Sequence, residues 1–600
     1  MEITELKGGI AKILEKGTRE PGAVRYHVPR GDGWEQVTWG QVLERTRRIA
    51  LYLEREGITK DSKVSVFATT RVEWGYVCPA IEACRGVFVP VYFSSTPDQA
   101  HYVIDHGDAE VLFTERALLP RVLLRWRDYG KLRRVVVLDL ETHGQLEQLV
   151  AATNQTHGLD LAIGEVTGRL TTLDEVYRLG AELEARDPAR LEAMIAAVED
   201  TDVAAIIYTS GTTGEPKGVV LTIRNLISST ISWFKVLEHA FPPPGERRDI
   251  LWLPISHMSG WGIMGQGTMF EYETWLSDPL NLLRILPEVR PTMLLSVPVY
   301  WEKMYVIALN ASPDPDEQHE KLRALTGGCL TFLLSGGAGL KREVKDFFRA
   351  AGIQMIEGYG LTECSPNLTM NRLDDFDFDS VGKPMPGVTL RLAADGEVLA
   401  KGENVFSGYY KNAEATAEVF DGDGWFHTGD LGEWTDRGFL RFRGRKKEII
   451  VTAGGKNVSP AGIEARFAGR PLIEHVVLYG DERKYLVALI TLDELQVRAY
   501  AAQMKIEGTF AELTRDPRVV ALVQDQVDAV NRELASYETI KRFEILEGHL
   551  SVEAGHLTPS LKLRRARVWV DYRASFDGLY EASPPLPRAG EREAASRRTS

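Results

Sequence analysis

Segment 208–218 reads Tyr-Thr-Ser-Gly-Thr-Thr-Gly-Glu-Pro-Lys-Gly and combines hydroxyl side chains, glycines and a lysine. It lies between two apolar runs, 203–207 and 219–221, which the sequence predicts to be strands, so a turn between strands is expected. Glycines allow a tight backbone that brings several N–H groups to one point. Hydroxyl donors and one positive charge then suit a polyphosphate. The candidate phosphate-binding residues are Thr209, Ser210, Gly211, Thr212, Thr213, Gly214 and Lys217.

This segment differs from the Walker A phosphate loop. That motif needs four residues between its first glycine and a Gly-Lys-Ser/Thr triplet that opens a helix. Here Gly211 and Gly214 lie too close together, Gly218 follows Lys217, and a predicted strand comes next. An ordinary glycine-rich hairpin is the simplest alternative, but the density of hydroxyl groups beside a lysine disfavours it.

Segment 357–363 is the second candidate for nucleotide chemistry. Tyr359 offers an aromatic face to a purine, and Thr362 offers a hydroxyl to a phosphate. Glu363 offers the hard carboxylate oxygens that Mg²⁺ prefers. A purely structural turn is the alternative, and the ordered Tyr, Gly, Thr and Glu disfavour it.

Two more segments are candidates for nucleotide contacts, one through a carboxylate and one through a glycine-rich turn. In 424–432, the carboxylate of Asp430 can accept both hydroxyl protons of a ribose diol. In 333–339, a predicted strand ends in a glycine-rich turn whose backbone can approach a flat ring closely. A Rossmann fingerprint is the rival interpretation of that turn, but the glycine spacing and the missing acidic partner oppose it.

Segment 208–218 closely resembles the phosphate loop of the AMP-forming acyl-CoA synthetases, whose superfamily includes luciferases and peptide-synthetase adenylation domains. Other segments resemble that family's motifs in the family's order, and 71–74 and 86–92 resemble its long-chain branch. The matching segments after the phosphate loop are 253–257, 333–339, 357–363, 424–432, 442–450, 452–460 and 557–563. The order of so many motifs identifies the chain as a member of this superfamily.

The resemblance implies a role for each matching residue. The implied catalytic residues are Lys217, His257, Thr362 and Lys562, with Glu363 as the metal ligand. The implied ATP or AMP contacts are Thr209, Ser210, Gly211, Thr212, Thr213, Gly214, Gly336, Gly337, Ala338, Glu357, Gly358, Tyr359, Gly360, Thr362, Asp430 and Arg445. The implied hinge is Lys447, and the implied coenzyme A channel is lined by Gly454, Gly455 and Lys456.

Helical and strand patterns alternate in the first third of the chain, which argues for α/β layers. The predicted helices are 37–56 and 73–86, the predicted strands are 63–67, 87–92 and 135–138, and a helix is expected to start at Thr96 and Pro97. Residues 140–200 are polar and glutamate-rich with few strand signals, and are predicted to be an elaborated surface region.

The resemblance implies an α/β fold with two domains. The expected large N-terminal domain, 1–443, has packed β-sheets with flanking helices and a small β-barrel, and binds ATP and the acyl group. A hinge at 444–447 leads to a small, mobile α+β lid domain at 448–575. Residues 576–600 are expected to form a disordered tail, since they are rich in Pro, Arg, Ala and Ser.

The implied activity is ATP-dependent conversion of a fatty acid, of long chain, into acyl-AMP and then acyl-CoA. ATP, Mg²⁺ and coenzyme A are the implied cofactors and co-substrates. One alternative is a fatty acyl-AMP ligase that loads an acyl carrier protein. Another is a non-catalytic relative that binds a nucleotide or an acyl group, which the intact Lys562, Glu363 and Thr362 disfavour. Trp233 and Trp261 are candidates for lining or gating an acyl tunnel.

Composition and charge limit the classes of binding partner and the cellular location that we expect. A formal net charge of -14 argues against general nucleic-acid binding. The 4 cysteines show no zinc or redox spacing and suit a reducing cytoplasm. The first residues lack the pattern of a signal peptide. The expected location is therefore the cytoplasm, with at most peripheral contact at the inner face of the membrane, and a homodimer is compatible with the sequence.

Two charged runs have simple interpretations. Arginines and lysines crowd 121–134 among leucines; a membrane-binding helix is one interpretation, and a solvated face over a core is the favoured one. The acidic run 374–379 lacks the spacing of an EF-hand and is predicted to be a solvated loop.

Overall fold

The computed structural model describes residues 8–209, 215–337, 339–558 and 562–581. These residues form two compact units. The larger unit takes in the chain up to Lys447 together with Val552–Leu563. The smaller unit takes in Glu448–Ser551 and the chain from Arg564 onward.

Strands of the larger unit form four sheets. They are β1 (Val24–Arg30), β2 (Gly33–Thr38), β3 (Lys63–Phe67), β4 (Val87–Val91), β5 (Ala109–Thr114), β6 (Arg134–Val137), β7 (Leu170–Thr172), β8 (Val203–Thr209), β9 (Lys217–Thr222), β10 (Arg248–Leu251), β11 (Glu273–Leu276), β12 (Met293–Ser296), β13 (Phe332–Ser335), β14 (Met355–Tyr359), β15 (Thr369–Met370), β16 (Lys383–Pro384), β17 (Val388–Leu392), β18 (Glu397–Gly402), β19 (Phe426–Trp434) and β20 (Leu440–Arg445).

Helices of the larger unit flank these sheets. They are α1 (Gly9–Arg19), α2 (Trp39–Arg55), α3 (Trp74–Ala83), α4 (Pro97–His106), α5 (Leu119–Leu123), α6 (His143–His157), α7 (Ile163–Thr167), α8 (Leu173–Arg186), α9 (Arg190–Ala196), α10 (Ile223–Leu237), α11 (Met258–Met269), α12 (Leu282–Val289), α13 (Pro298–Leu309), α14 (Pro315–Leu325), α15 (Arg342–Ala350) and α16 (Ala413–Val419). Among the described residues, no helix combines the length and apolar character needed to cross a bilayer.

A seven-stranded sheet in the order β7-β6-β5-β3-β4-β8-β9 forms the centre of the larger unit. Strand β4 shows why both of its faces are buried: Val87, Val89 and Val91 pack into one core, and Phe88 packs into the other. Side chains alternate along a strand, so an all-apolar strand needs cover on both faces. Helix α4 covers one face and begins at a capping box formed by Thr96 and Gln99.

The remaining sheets of the larger unit are smaller. One has the order β12-β13-β14-β15-β16, and another has the order β10-β11-β1-β2. The barrel expected from the resemblance corresponds to an antiparallel sheet, β17-β18-β19-β20, whose strand order does not close on itself. The expected α/β fold with several packed sheets is confirmed.

The smaller unit has a three-stranded sheet and a two-stranded one. Its elements are β21 (Ile450–Val451), β22 (Asn457–Val458), α17 (Pro460–Glu464), β23 (Ile473–Tyr479), β24 (Leu486–Leu492), α18 (Glu494–Met504), α19 (Phe510–Leu513), α20 (Pro517–Asn531), β25 (Ile540–Ile545), α21 (Arg565–Asp571) and α22 (Arg573–Glu581). Helix α20 turns Val519, Val523 and Val527 into this unit's own core. Buried Arg565 pairs with Glu448 and Glu464 of the same unit.

Two predictions need correction. Residues 140–200 contain four helices and the edge strand β7, and their Leu173, Val176 and Leu191 reach the main core. The many polar residues on the outer faces of those helices masked the helical spacing of their apolar residues in the sequence. Residues 576–581, predicted to be disordered, form the end of α22, where Phe576 is fully buried; the rest of the predicted tail, 582–600, lies outside the described residues.

Both charged runs lie on the surface with nearby partners. In the basic segment, Val122 and Trp126 are buried, whereas Arg125 pairs with Asp98 and Arg127 pairs with Glu165. A solvated face over a core, the favoured interpretation, is confirmed. In the acidic run, Asp375 pairs with Lys383 and Arg437, and Asp379 pairs with Arg342.

All 4 cysteines of the chain are free thiols in the larger unit. Cys78, Cys84 and Cys364 are buried, and Cys329 is partly exposed.

Candidate active site

The candidate phosphate segment joins β8 to β9. These strands pair antiparallel, with Thr209 opposite Lys217, so the two strands predicted on either side of the segment are confirmed. A strand follows the segment, as the argument against a Walker A loop requires. The Tyr102 hydroxyl donates a hydrogen bond to the Pro216 carbonyl oxygen at 3.1 Å. Ser210, Gly211, Thr212, Thr213 and Gly214 lie outside the described residues.

Three of the predicted nucleotide residues meet where the ends of β14 and β20 lie beside the middle of β19. The Tyr359 hydroxyl donates to Asp430 Oδ2 at 2.8 Å. Asp430 is buried and lies opposite Arg445 in the β19–β20 ladder, with Arg445 Nε 3.4 Å from its Oδ1. Burial and the charge of Asp430 hold the pKa of the Tyr359 phenol well above its usual value, so its hydroxyl stays a donor.

Thr362 and Glu363 lie in a single 3-10 turn directly after β14. The Glu363 carboxyl is buried and accepts a hydrogen bond from the Tyr409 hydroxyl at 3.0 Å. Burial raises the pKa of Glu363, and the Tyr409 hydrogen bond opposes that rise. The Lys217 ammonium lies over the Tyr409 ring, 5.0 Å from its centroid. The sequence alone offers no reason to assign Tyr409 to the site.

Lys562 belongs to the larger unit and is hydrogen-bonded through its backbone to Thr558. Its N–H donates to Thr558 Oγ1 at 3.0 Å, and the Thr558 N–H donates to its carbonyl oxygen at 2.8 Å. Surrounding protein atoms desolvate its ammonium and lower its pKa, and the charge of Arg445 adds to that effect, whereas Glu363 and Asp430 oppose it. The lysine therefore lies within electrostatic reach of the residues predicted to bind ATP.

His257 caps the start of α11. Its Nδ1 accepts a hydrogen bond from the Ser259 N–H at 3.1 Å, which leaves the proton of the neutral ring on Nε2. Burial lowers the pKa of His257 to about 3, and the Lys562 charge contributes to the lowering. The imidazole is therefore a neutral hydrogen-bond donor in the site, and not a cation.

The glycines of two predicted adenine-side segments differ in their surroundings. No atom lies within 4 Å of a Cβ added to Gly336 or Gly337, so space is open beside that backbone. At Gly360, an added Cβ would lie 1.7 Å from the Pro366 carbonyl oxygen, so only glycine fits there. Gly358 is likewise close to backbone, 3.1 Å from the Thr369 carbonyl oxygen. Ala338 lies outside the described residues.

The side chain of Glu357 has partners of its own. Its Oε1 accepts from the Leu340 N–H at 3.1 Å, and its Oε2 pairs with buried Lys345. The carboxylate is therefore occupied within the fold, and a contact with a nucleotide would have to come from the Glu357 backbone. A buried lysine twelve residues upstream gave no sequence signal for this pairing.

The predicted channel residues lie in the smaller unit. Gly454, Gly455 and Lys456 form the turn between β21 and β22, with Gly455 at a φ of 71° that favours glycine. Lys456 Nζ lies 5.8 Å from the centroid of the Tyr537 ring. Lys447 is exposed in the 3-10 turn Lys446–Glu448, at the boundary between the two units.

An apolar cavity of about 160 Å³ lies in the larger unit. Met258 and Trp261, just after His257, belong to its lining. Gly86 and Val203, at the amino ends of the parallel strands β4 and β8, also belong to it. Since the phosphate segment follows the carboxyl end of β8, the cavity extends to the opposite end of that strand.

The cavity walls come from α3, α10 and α11 as well as from the strands. Trp261 lines this cavity. Trp233 packs in the core on α10 and is not among the lining residues. A role for either residue in an acyl tunnel stays a prediction.

Comparison with protein families places two matches along the chain. Residues 14–410 match the family described as AMP-binding enzyme. Residues 447–584 match the AMP-binding enzyme C-terminal domain.

Similar proteins cover nearly the whole chain. The long-chain-fatty-acid–CoA ligase FadD15 of Mycobacterium bovis is 33% identical over 95% of this chain and 96% of its own length. The long-chain-fatty-acid–CoA ligase 5 of Rattus norvegicus is 28% identical over 92% of this chain and 85% of its own.

Solved structures share the fold. The adenylation domain of a carboxylate reductase from Mycobacterium chelonae superposes with a TM-score of 0.76 at 21% identity, covering 96% of this chain and 90% of that one. The anthranilate CoA ligase AuaEII, solved with anthranoyl-AMP, gives a TM-score of 0.74 at 18% identity, covering 96% and 99%.

Proposed function

Because this chain belongs to the AMP-binding enzyme family, we propose that it activates a long-chain fatty acid with ATP and transfers the acyl group to coenzyme A. In the first step, a carboxylate oxygen of the fatty acid bonds to the α-phosphorus of ATP, and the bond from that phosphorus to the bridging oxygen breaks to release pyrophosphate. In the second, the sulfur of coenzyme A loses its proton and bonds to the acyl carbon, and AMP leaves.

The observation that carries this proposal is the convergence of charged groups beside an apolar cavity. Lys562 lies within electrostatic reach of Arg445, Glu363 and Asp430. The cavity lining begins next to His257. A site that joins a fatty carboxylate to a nucleotide must place apolar walls and phosphate-binding cations side by side, and this arrangement does so.

Each polar residue has a role in that chemistry. Asp430 binds the ribose hydroxyls, and Tyr359, whose hydroxyl fixes Asp430, places its ring beside the base. Lys562 bridges the two anions, the fatty carboxylate and the α-phosphate, and stabilises the charge that develops between them. His257, held neutral, donates its Nε2–H near the carboxylate without adding a second fixed charge. Positioning of the two substrates contributes beside charge.

Glu363 fits a magnesium ligand. Within the described ranges, no group of three or more His, Cys, Asp or Glu side chains could hold a metal by itself. Mg²⁺ is typically bound by one or two carboxylates together with substrate phosphates, and the buried carboxylate of Glu363 supplies one. When bound, Mg²⁺ neutralises triphosphate charge. Thr362, the preceding residue, offers its hydroxyl to the α-phosphate.

The cavity supports a long-chain substrate. Its lining joins residues next to His257 to residues at the amino ends of β4 and β8 and is mainly apolar, which suits an acyl chain. The predicted domains follow the same logic: a large unit binds ATP and the acyl group, Lys447 is the hinge, and the turn Gly454–Lys456 of the smaller unit lines the path of coenzyme A.

We place the enzyme in the cytoplasm, with at most peripheral membrane contact, and as a monomer or homodimer. Free cysteines support a reducing compartment. The arginines of 121–134 that pair with carboxylates leave little unpaired charge for an anionic lipid surface.

ATP–pyrophosphate exchange, measured with acids from octanoic to octadecanoic, tests the proposal. We expect exchange that depends on the acid and increases with its chain length, followed by thioester formation with free coenzyme A. Exchange without thioester, rescued by a phosphopantetheinylated carrier protein, would identify an acyl-AMP ligase instead. Absence of exchange with every acid, in a folded protein that binds ATP, would overturn the proposed activity.

A further inference from the structure

Segment 406–410 connects the two parts of the site that face the triphosphate. The Phe406 N–H donates to the Glu363 carbonyl oxygen at 2.8 Å, in the turn that bears the metal-ligand candidate. The Tyr410 N–H donates to the Gly218 carbonyl oxygen at 2.7 Å, next to Lys217 on β9. One short extended segment therefore fixes the backbones of both groups relative to each other.

The side chain of Tyr409 contacts the side chains of both Glu363 and Lys217. Its hydroxyl donates to Glu363 Oε1 at 3.0 Å, and its ring lies 5.0 Å from the Lys217 ammonium. Behind it, the ring of Phe406 packs edge-on with centroids 5.0 Å apart, so the Tyr409 ring is held in place. Hydroxyl and ring thus act on different partners, one anionic and one cationic.

From this geometry, we propose that Tyr409 is a positioning residue that sets both the metal-binding carboxylate and the triphosphate-binding lysine, an inference that rests on the proposed function. A buried carboxylate with one oxygen fixed by a hydroxyl presents the other oxygen in a defined direction. A cation held over an aromatic face keeps its charge, and its position is restricted by the attraction to the ring. Neither effect requires Tyr409 to touch the substrate.

A tyrosine that merely fills the core is the alternative. Its loss would lower thermal stability and depress every activity together. If Tyr409 is a positioning residue, the effects are more specific. Loss of its hydroxyl weakens metal binding, and loss of its ring also weakens the binding of ATP without metal.

The neighbouring tyrosine provides a matched control. The Tyr410 hydroxyl donates at 2.8 Å to Asp108, away from Glu363 and Lys217. We expect Tyr409→Phe to raise the Mg²⁺ concentration for half-maximal pyrophosphate exchange about 10-fold or more, the usual effect of losing a hydrogen bond to a metal ligand. The KM for the fatty acid should stay near its parent value. Tyr410→Phe should leave the Mg²⁺ dependence unchanged.

A binding measurement separates this proposal from the proposed function. Isothermal titration of Mn²⁺ into enzyme saturated with a non-hydrolysable ATP analogue needs no fatty acid and no turnover. Tyr409→Phe should weaken Mn²⁺ binding by a similar factor, and Tyr409→Leu should also weaken binding of the analogue in EDTA. A parent that binds Mn²⁺ and the analogue but exchanges no pyrophosphate would sink the function while leaving the role of Tyr409 to be judged by binding.

A double variant keeps the test decisive if the single changes lower stability. In a Glu363→Gln background the carboxylate is gone, so Tyr409→Phe should cause no further shift in metal dependence; independent effects would add. Equal shifts for Tyr409→Phe and Tyr410→Phe, an unchanged Mn²⁺ titration, or full additivity with Glu363→Gln would each overturn the proposal.

Discussion

At the scale of single residues, the site balances a few charges in a small space. Burial and the charge of Arg445 lower the pKa of Lys562, and Glu363 and Asp430 oppose this. Triphosphate and carboxylate anions would stabilise both cations when they bind. The same residues show what sequence can predict: Lys562 and Asp430 were found from motifs, whereas Tyr409 and the Lys345 partner of Glu357 depend on contacts between distant segments.

Replacement of Lys562 tests the adenylation step. We expect Lys562→Ala to lower acid-dependent pyrophosphate release by about 100- to 1,000-fold, the range seen when one preorganised donor is removed from a charged transition state. Thioester formation from supplied acyl-AMP should fall much less, since no α-phosphate attack remains. Rapid-quench assays of the two half-reactions make the comparison. Equal losses in both would show that Lys562 does not act where we place it.

Because His257 is neutral in the folded protein, we expect folding stability to depend on pH. Its folded pKa of about 3 is below its ordinary value of 6.5, so the folded state binds fewer protons than the unfolded state in that window. Its contribution to stability is therefore complete above pH 6.5 and is lost as pH falls toward 3. We expect the drop in Tm between pH 7 and pH 5 to be smaller in His257→Gln than in the parent, because the parent alone loses about 2 kcal/mol of unfolding free energy from this group at pH 5.

A matched control for this prediction is His239→Gln, because the His239 side chain is 90% exposed. Its drop in Tm should equal that of the parent. If His257→Gln and His239→Gln behave alike, His257 titrates normally and does not act as a neutral donor.

At the scale of elements, short-range signals predicted the strands well. The β8–β9 hairpin, β3, β4 and the start of α4 were all expected, because their apolar periodicity and capping residues are local. The helices within 140–200 were missed because polar outer faces outnumber the apolar positions that reach the core. No local pattern in the sequence predicts that Val552–Leu563 belongs to the larger unit, since the residues on both sides of this segment belong to the smaller unit.

Helix α1 depends on a carboxyl group from another element. The Gly9 and Ile10 N–H groups donate to the Glu82 carboxyl on α3, and within the described part of the chain its Oε1 has no hydrogen-bond partner. Burial raises the pKa of Glu82 to about 8. The folded state therefore holds a proton that the unfolded state releases above its ordinary pKa of 4.5, so stability from this group is complete below pH 4.5 and is lost as pH rises through 8.

Glu82→Gln keeps an acceptor for the α1 N–H groups and removes the titration. We expect the free energy of unfolding of the variant, relative to the parent, to rise between pH 5 and pH 8, by roughly 4 kcal/mol at pH 8; Tm should follow the same trend. Glu418→Gln, at an exposed glutamate, should show no such trend. A constant difference across this pH range would mean that Glu82 is ionised in the folded protein.

At the scale of the whole molecule, the two half-reactions make opposite demands. In the proposed function, adenylation needs Lys562 at the phosphates, and transfer needs the path for the pantetheine thiol that we propose Gly454 and Gly455 line. The chain passes between the two units at Lys447 and again at both ends of Val552–Leu563. We propose that a rotation of the smaller unit about Lys447 serves these two demands in turn.

Lys447→Pro tests that rotation. Proline fixes φ and removes the backbone N–H, so the hinge loses part of its range. We expect pyrophosphate exchange within about 3-fold of the parent and transfer to coenzyme A lowered by about 10-fold or more, as for enzymes whose conformational step is blocked. Lys446→Ala, one residue earlier, is the control for loss of a hinge-side charge. Near-normal transfer in Lys447→Pro would refute the hinge, and circular dichroism should confirm that the variant is folded.

The distribution of thiols makes that rotation directly observable. Three of the 4 cysteines are buried, and only Cys329 is partly exposed, so a maleimide dye should label the larger unit at one position. The smaller unit contains no cysteine, and Leu495 there is 81% exposed. Leu495→Cys would place a second fluorophore on the smaller unit without touching the site. Energy transfer between the two dyes would then report each half of the catalytic cycle in solution, one molecule at a time.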